Sequence, residues 1–367
     1  MQVHLVDGTY ELFRYFYSPR GGHTNGAGDE VGATRGVLRS VAAMLRDGAT
    51  HLGVATDHTV ESFRNDLWDG YKTGDGIDPE LFAQFPWVEQ ALSALGVTVW
   101  PMVDVEADDA LGAAAAVAAA DERVQRVLIC TPDKDLAQCV VGDRVVQLDR
   151  RREELRDADG VLEKYGVPPE SIPDWLALVG DTADGFPGLP GWGAKSAASV
   201  LRVYRHLDAI PDAPGQWDVP GLRGAAKLAG TLAEHRADAE LFRTLATLVT
   251  DVEVGTVDEW RWGGPSEELD EWCERLDAPD VLRTVGRALA DRAGAARRPS
   301  VPAVPMVRSR PRTRNRVQVP CGEAPAWWSW NAKQVRGPWI RCQRLLREAL
   351  GRERPPSRAP RRALRSI

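Results

Sequence analysis

The sequence predicts an α/β domain, a mainly parallel central sheet flanked by helices, followed by a C-terminal helical domain. Three observations carry this expectation. Short apolar runs alternate with amphipathic, helix-period segments through the first half of the chain, the pattern of successive β-α-β units. From residue 161 onward the pattern turns helical. Nine acidic residues stand where strand-like runs end or in Gly/Pro-punctuated loops, and the carboxyl ends of parallel strands open onto one crevice.

The elements follow in order. Val3-His4-Leu5-Val6 reads as a strand closed by Asp7, and residues 10–17 as a short helix. A polar, Gly-rich loop spans 21–32, and 33–47 is helical, with Val37, Val41, Met44 and Leu45 along one side. Residues 52–56 form a strand closed by Asp57, 62–71 look helical, and 70–79 make a Gly/Asp-rich break. Leu81, Phe85, Val88, Leu92 and Leu95 mark a helix over 80–95. Strands at 97–101 and 127–131 bracket an Ala-rich helix at 107–120, and a short helix at 136–141 precedes a strand at 145–148. Helices at 171–178, 195–204, 222–235 and 237–250 build the second domain, with the boundary placed near residue 165. The last helical stretch, 269–293, is expected to pack back onto the body.

Composition excludes several classes. The apolar fraction is 43%, yet no apolar run reaches the roughly 18–20 residues a membrane-spanning helix needs. The N-terminus opens directly on a strand-like run without the features of an export signal, so a cytoplasmic location is expected. Five cysteines (Cys130, Cys139, Cys273, Cys321, Cys342) lack paired spacing and read as reduced thiols, which argues against zinc. The net charge of −7 hides a split: residues 297–367 hold 18 basic against 3 acidic residues, leaving −22 on the rest. That tail also holds 10 of the 25 prolines, and Trp327, Trp328, Trp330 and Trp339 lack a supporting apolar period. Disorder is the expectation for it, with an Arg–aromatic grip on single-stranded nucleic acid as the alternative. An acidic body binds polyanions poorly unless metals and local basic patches reverse the field.

The carboxylates carry the chemistry. Glu106-Ala107-Asp108-Asp109 opens a helix just past a strand, where acids also suit the helix dipole, so a capped helix explains them equally well in isolation. Asp133-Lys134-Asp135 follows a buried strand and allows both aspartates to share a bridging metal, or simply an Asp-rich turn. Gly180-Asp181-Thr182-Ala183-Asp184 alone is a loop. Together with Asp7 and Asp57 they would crowd negative charge into one crevice, and hard divalent cations are the natural compensation. Two such ions roughly 4 Å apart clamp a phosphodiester, which points to a metal-dependent nuclease.

In this order, these motifs resemble the 5′-nuclease domain of bacterial DNA polymerase I and the wider flap endonuclease family. The resemblance covers residues 3–251 and rests on Val6-Asp7-Gly8, Ser62-Phe63-Arg64, Tyr71-Lys72, Glu106-Ala107-Asp108-Asp109, Asp133-Lys134-Asp135 and Gly180-Asp181. It implies a PIN-like nuclease fold with a helix–three-turn–helix element in the helical domain. It also implies two-ion Mg²⁺ or Mn²⁺ chemistry on DNA at 5′ ends, 5′ flaps, nicks and branches. The chain length leaves no room for a polymerase domain, so a free-standing 5′→3′ nuclease is expected, with no membrane partner because no apolar run is long enough. By motif, Asp7, Asp57, Asp108 and Asp109 are implied as first-site ligands with Glu106 beside them. Asp133 and Asp135 are implied as shared or second-site ligands, completed by Asp181 and Asp184. Arg64 and Lys72, eight residues apart on one helix face of an arch near 62–81, are implied to meet the scissile phosphate. Arg14 is implied as a phosphate contact, and Gly188, Gly191, Gly193 and Lys195 as the DNA-binding turn.

Three departures stand out. Asp75 replaces a family cation after Tyr71-Lys72, Gly185 replaces an asparagine after Asp184, and Trp192 replaces a smaller aliphatic residue. They bear on DNA grip and strand threading while leaving the acidic set intact. A ribonuclease with the same acidic crevice and a non-catalytic branched-DNA binder are the rival readings.

Overall fold

The computed structural model describes residues 1–19 and 21–297, so expectations for the tail lie outside the described residues. Strand β1 (Gln2–Asp7) runs into helix α1 (Gly8–Phe16), and α2 (Gly32–Arg46) leads to β2 (His51–Asp57). Three helices follow, α3 (Phe63–Leu67), α4 (Pro79–Phe82) and α5 (Phe85–Ala94), then β3 (Thr98–Met102), α6 (Ala107–Ala120) and β4 (Arg126–Cys130). A 3₁₀ turn (Asp135–Cys139) precedes β5 (Val145–Asp149), β6 (Glu154–Arg156) and α7 (Ala158–Tyr165). The helical domain holds α8 (Ile172–Val179), α9 (Ala194–Tyr204), α10 (Ala225–Glu234) and α11 (Arg236–Ala246), and the described chain ends with α12 (Leu269–Arg275) and α13 (Pro279–Arg297).

The described residues form one sheet in the order β3-β2-β1-β4-β5-β6. The first five strands pair in parallel, with Leu5 beside both Gly53 and Ile129. Only β6 is antiparallel, paired to β5 in a tight edge hairpin that the three-residue strand was too short to announce. Because β2 and β3 lie on one side of β1 and β4 and β5 on the other, strand order reverses at β1/β4. Their carboxyl ends, Asp7 and the segment after Cys130, diverge there and leave an opening.

Apolar faces fix the layers. Val37, Val41 and Leu45 of α2 and Val88 and Leu92 of α5 pack beneath one sheet face. Ala110, Leu111 and Ala114 of α6 cover the other face against Leu5, Val127 and Ile129. Small side chains let α6 lie close to the strands. Trp175, Leu176, Val200, Leu201, Phe242 and Leu245 form the helical domain's own core. Among the described residues, no helix is long and apolar enough to cross a membrane.

The expected helical span of 166–296 has two destinations. Residues after α11 return to the sheet: the Trp260 carbonyl accepts from the Leu52 N–H and the Trp262 N–H reaches the Thr50 carbonyl, both at 2.9 Å. Trp100 and Trp260 meet edge to face at 5.4 Å and both donate to the Val254 carbonyl. Helix α13 packs Val281 and Val285 into the α2 core, so the last stretch returns to the body as expected, although it is two helices broken between Arg275 and Pro279.

Two other expectations need correction. The helix expected over 62–71 stops at Leu67, because Gly70, Gly74 and Gly76 lower helix propensity and the chain turns repeatedly before Pro79. The helix expected at 80–95 is broken between Phe82 and Phe85.

Candidate metal centre and nucleic-acid interface

The switch-point opening is a pocket lined by Asp7, Asp57, Glu106, Asp108, Asp133, Asp135, Asp181 and Asp184, together with Lys72 and Lys134. Each element delivers its carboxylate for a local reason. Asp7 ends β1 and caps α1: its Oδ1 accepts from the Tyr10 N–H at 2.8 Å, while Oδ2 accepts from the Thr131 hydroxyl at 3.0 Å. Gly8 follows because a Cβ there would stand 2.8 Å from the Ala55 carbonyl oxygen, so α1 starts hard against β2. Asp57 ends β2 and accepts from the Ala107 N–H, holding the start of α6 at 2.8 Å. Asp181 turns its own loop by accepting from the Ala183 N–H at 2.9 Å.

Two carboxylate groups result. Oxygens of Asp108, Asp133 and Asp135 lie within 4.8 Å of one another, and so do oxygens of Asp135, Asp181 and Asp184. Asp135 is common to both. Its Oδ1 is buried with no hydrogen-bond partner, an orphaned acceptor that a cation would satisfy. An all-carboxylate donor set suits a hard divalent ion, so the residues fit the expected metals.

Electrostatics show the crowding. Burial, reinforced by Asp57 and Asp133, raises the Asp7 carboxyl to about 7. Burial and then Asp184 raise Asp181 to about 6. Burial followed by Asp133 pushes Asp108 well above the usual carboxylate range, and burial pushes Asp135 up despite Lys134. Burial also raises Asp57, with Lys72 pulling the other way. Asp184 goes down instead: burial opposes this, but Lys72 and Lys134 outweigh it. Lys72 reaches Glu106 Oε2 at 2.6 Å and Asp184 Oδ1 at 3.1 Å, and Lys134 pairs with Asp181 Oδ2.

Asp109 and Arg64, expected at the reacting centre, are elsewhere. Asp109 is fully buried and does not line the pocket. Three residues into the turn of α6, it points back: Oδ2 accepts from the Glu106 N–H, Oδ1 from the Val249 N–H, and both oxygens from Arg64. Arg64 is 1% exposed and spends its remaining donors on Glu106 and on the carbonyls of Leu245 and Thr247. It joins three segments and has no donor to offer a phosphate. Arg64 and Lys72 therefore share no helix face. Arg14 is also withdrawn, paired with Glu11 and stacked 4.2 Å over Tyr15 outside the pocket lining.

Lys72 enters the pocket by a different route. The Lys72 N–H donates to the Asp184 carbonyl at 3.0 Å and the Trp68 indole to the Gly185 carbonyl at 3.2 Å. A Cβ on Gly185 would stand 1.9 Å from the Gly70 carbonyl oxygen, and its φ is +89°. The Gly185 departure is thus what lets the two loops close on each other. Asp75 is exposed, and Trp192 is buried with its ring 6.0 Å from that of Trp217, enlarging the helical core.

In the second domain, Gly191 and Gly193 have open space where a Cβ would lie, and the exposed Lys195 sits in the first turn of α9. The Gly193 N–H and carbonyl are already bonded to Ser196 and Ala197, so the exposed Gly191 and the Lys195 ammonium are what a ligand can reach. Gly188 differs: a Cβ would collide with the Gly180 backbone nitrogen at 2.3 Å, so it serves packing. Sequence reasoning left out Thr9, Tyr10 and Lys134 from the pocket wall, although Lys134 sits between two chosen aspartates.

Comparison with known proteins agrees with this geometry. The family model for the 5′-3′ exonuclease N-terminal resolvase-like domain matches residues 2–166, and that for the 5′-3′ exonuclease C-terminal SAM fold matches 167–268. DNA polymerase I of Pseudomonas aeruginosa is 36% identical over 277 residues, covering 72% of this chain and 29% of the polymerase. DNA polymerase I of Mycobacterium leprae is 35% identical over 254 residues, covering 68% and 27%. The chain thus spans less than a third of the length of these relatives. Among solved structures, T5 5′-exonuclease with bound divalent metal ions (zinc) has a TM-score of 0.53 at 18% identity, covering 79% of this chain and 99% of that one. The Rad2 catalytic core in complex with DNA substrate has a TM-score of 0.50 at 16% identity, covering 77% and 91%. Those likenesses establish the fold. With the two family models together accounting for residues 2–268, the chain belongs to the 5′-3′ exonuclease family.

Proposed function

We propose that this chain hydrolyses DNA phosphodiesters as a Mg²⁺- or Mn²⁺-dependent 5′→3′ exonuclease and 5′-flap endonuclease, leaving a 5′-phosphate and a 3′-hydroxyl. The observation that carries the reading is the pair of carboxylate groups sharing Asp135 at the strand switch point. Asp108, Asp133 and Asp135 would hold one ion and Asp135, Asp181 and Asp184 the other, with Asp7, Asp57 and Glu106 orienting the rim. Bound divalent ions supply charge neutralisation at the phosphate and an acidified water.

The chain's own groups do the rest. Thr131 and the Tyr10 N–H fix both oxygens of Asp7, so that carboxylate cannot rotate when a substrate enters. Lys72 stands at the pocket wall between Glu106 and Asp184, placed to offer its charge to an incoming phosphate. The exposed turn at Gly191 and the Lys195 ammonium would hold a duplex phosphate at a distance from the chemistry, fixing register without reading sequence.

A labelled 5′-flap DNA, a nicked duplex and the matching RNA, incubated with Mn²⁺ and the full chain, test this directly. Cleavage of the DNA substrates and its loss in Asp135→Asn are expected. RNA cut in preference to DNA would replace the reading with the ribonuclease one, and binding without any cleavage would leave the non-catalytic one.

A further inference from the structure

The two carboxylate groups are not equally open to a cation. Lys134 projects from the turn between Asp133 and Asp135 and pairs with Asp181 Oδ2, and Lys72 holds Asp184 Oδ1 at 3.1 Å. Two of the three acids in the Asp135/Asp181/Asp184 group therefore already face an ammonium. In the other group Asp108 and Asp133 bring carboxylate oxygens within 4.8 Å of each other. The Lys134 side chain keeps 29% of its exposure while that of Asp181 keeps 3%, so the lysine has a way out to solvent and the aspartate has none.

We propose that Lys134 is a resident counterion of the Asp135/Asp181/Asp184 group, that it competes there with divalent cation, and that the two groups fill in order, Asp108/Asp133/Asp135 first. The inference rests on the divalent-metal reading given above. In the metal-free protein Lys134 keeps the second group from flying apart. As an ion arrives, the ammonium withdraws along its flexible stem into water, a movement a rigid guanidinium fork could not make as readily. The second site is thereby built to be weaker than the first, without any difference in ligand type.

Calorimetric titration of the metal-free full chain with Mn²⁺, at fixed pH, tests this. Wild type should show a tight and a weak step. In Lys134→Met the weak step should tighten by about tenfold or more, the low end of what a close charge pair contributes. Lys134→Arg should leave the weak step at least as weak as in wild type, because the charge stays and the guanidinium withdraws less readily. Melting supplies a second readout: Lys134→Met should melt lower than wild type without metal, and Mn²⁺ should close the gap. A lysine that merely braces the loop would lower both temperatures equally. If Lys134→Met does not fold, Lys134→Gln replaces it. Wild type that takes up no Mn²⁺ overturns the metal reading itself. Wild type that binds while Lys134→Met (or Lys134→Gln) shows unchanged steps overturns this inference alone.

Discussion

Arg64 and Asp109 meet in a two-point ion pair, Nη1 to Oδ2 at 2.8 Å and Nη2 to Oδ1 at 2.7 Å, with both side chains removed from solvent. The pair joins α3, the first turn of α6 and the end of α11, directly behind the carboxylate pocket. Burying two charges is favourable only when every donor and acceptor is met, and here they are met by Glu106 and by three backbone groups.

Removing one member should therefore be costly for stability. Arg64→Ala strands Asp109 in the interior, while Glu106 keeps Lys72, and is expected to cost about 3–5 kcal/mol in urea denaturation. Asp109→Asn should cost less, because it keeps the shape and leaves Glu106 to balance Arg64. Were Arg64 a phosphate ligand instead, Arg64→Ala would fold normally and lose only activity.

Asp135 serves both carboxylate groups, so Asp135→Asn should weaken both Mn²⁺ steps in a titration, whereas Asp181→Asn should affect one. Cleavage by Asp135→Asn is expected to fall by at least about a hundredfold, the scale on which a displaced electrostatic group acts. Equal loss of a single step in both variants would contradict the shared arrangement.

The raised carboxyls set a pH dependence for the metal-free protein. Asp7 at about 7 and Asp181 at about 6 stay protonated in the folded chain after the unfolded chain has released the same protons near pH 4. The folded state then binds more protons, and stability falls as pH rises through that window. Below about pH 4 the contribution is fully present; above about pH 7 it is gone. Metal-free protein should melt lower at pH 8 than at pH 5, and Mn²⁺ at pH 8 should reverse the loss. Asp7→Asn should flatten the metal-free profile.

Gly185→Ala asks whether the docked loops position Lys72. The new methyl meets the Gly70 carbonyl and must adopt a left-handed φ, a strain of about 1–3 kcal/mol. Cleavage should fall with both Mn²⁺ steps retained. Lys72→Ala should show a comparable activity loss together with a lower metal-free melting temperature, because Glu106 and Asp184 lose their shared ammonium. A Gly185→Ala variant of full activity would separate the loop from catalysis.

Lys195→Ala should weaken duplex binding evenly across sequences and lower the salt slope by about one. Stability should not change, because the side chain is exposed.

Much of this was legible before any coordinates. Apolar runs and helix-period segments announced five parallel strands and their flanking helices, because strands covered on both faces need continuous apolar stretches. The helix expected at 107–120 coincides with α6. Motif spacing drew Asp7, Asp57, Glu106, Asp108, Asp133, Asp135, Asp181 and Asp184 to one pocket, since strand ends in a parallel sheet share one edge. What the sequence could not decide was direction. Asp108 and Asp109 are adjacent on one helix, and a turn of 100° per residue sends one toward the pocket and the other into the domain junction. Arg64 reads as a surface cation until α11, far along the chain, arrives to cover it. Gly185 reads as a lost side chain until Gly70 is seen against it. The sequence by itself determined which groups reach the strand ends, because that is a matter of local period. Only the tertiary structure decided which of them face one another across the pocket and which are spent holding it together, because that depends on segments the chain brings in from a distance.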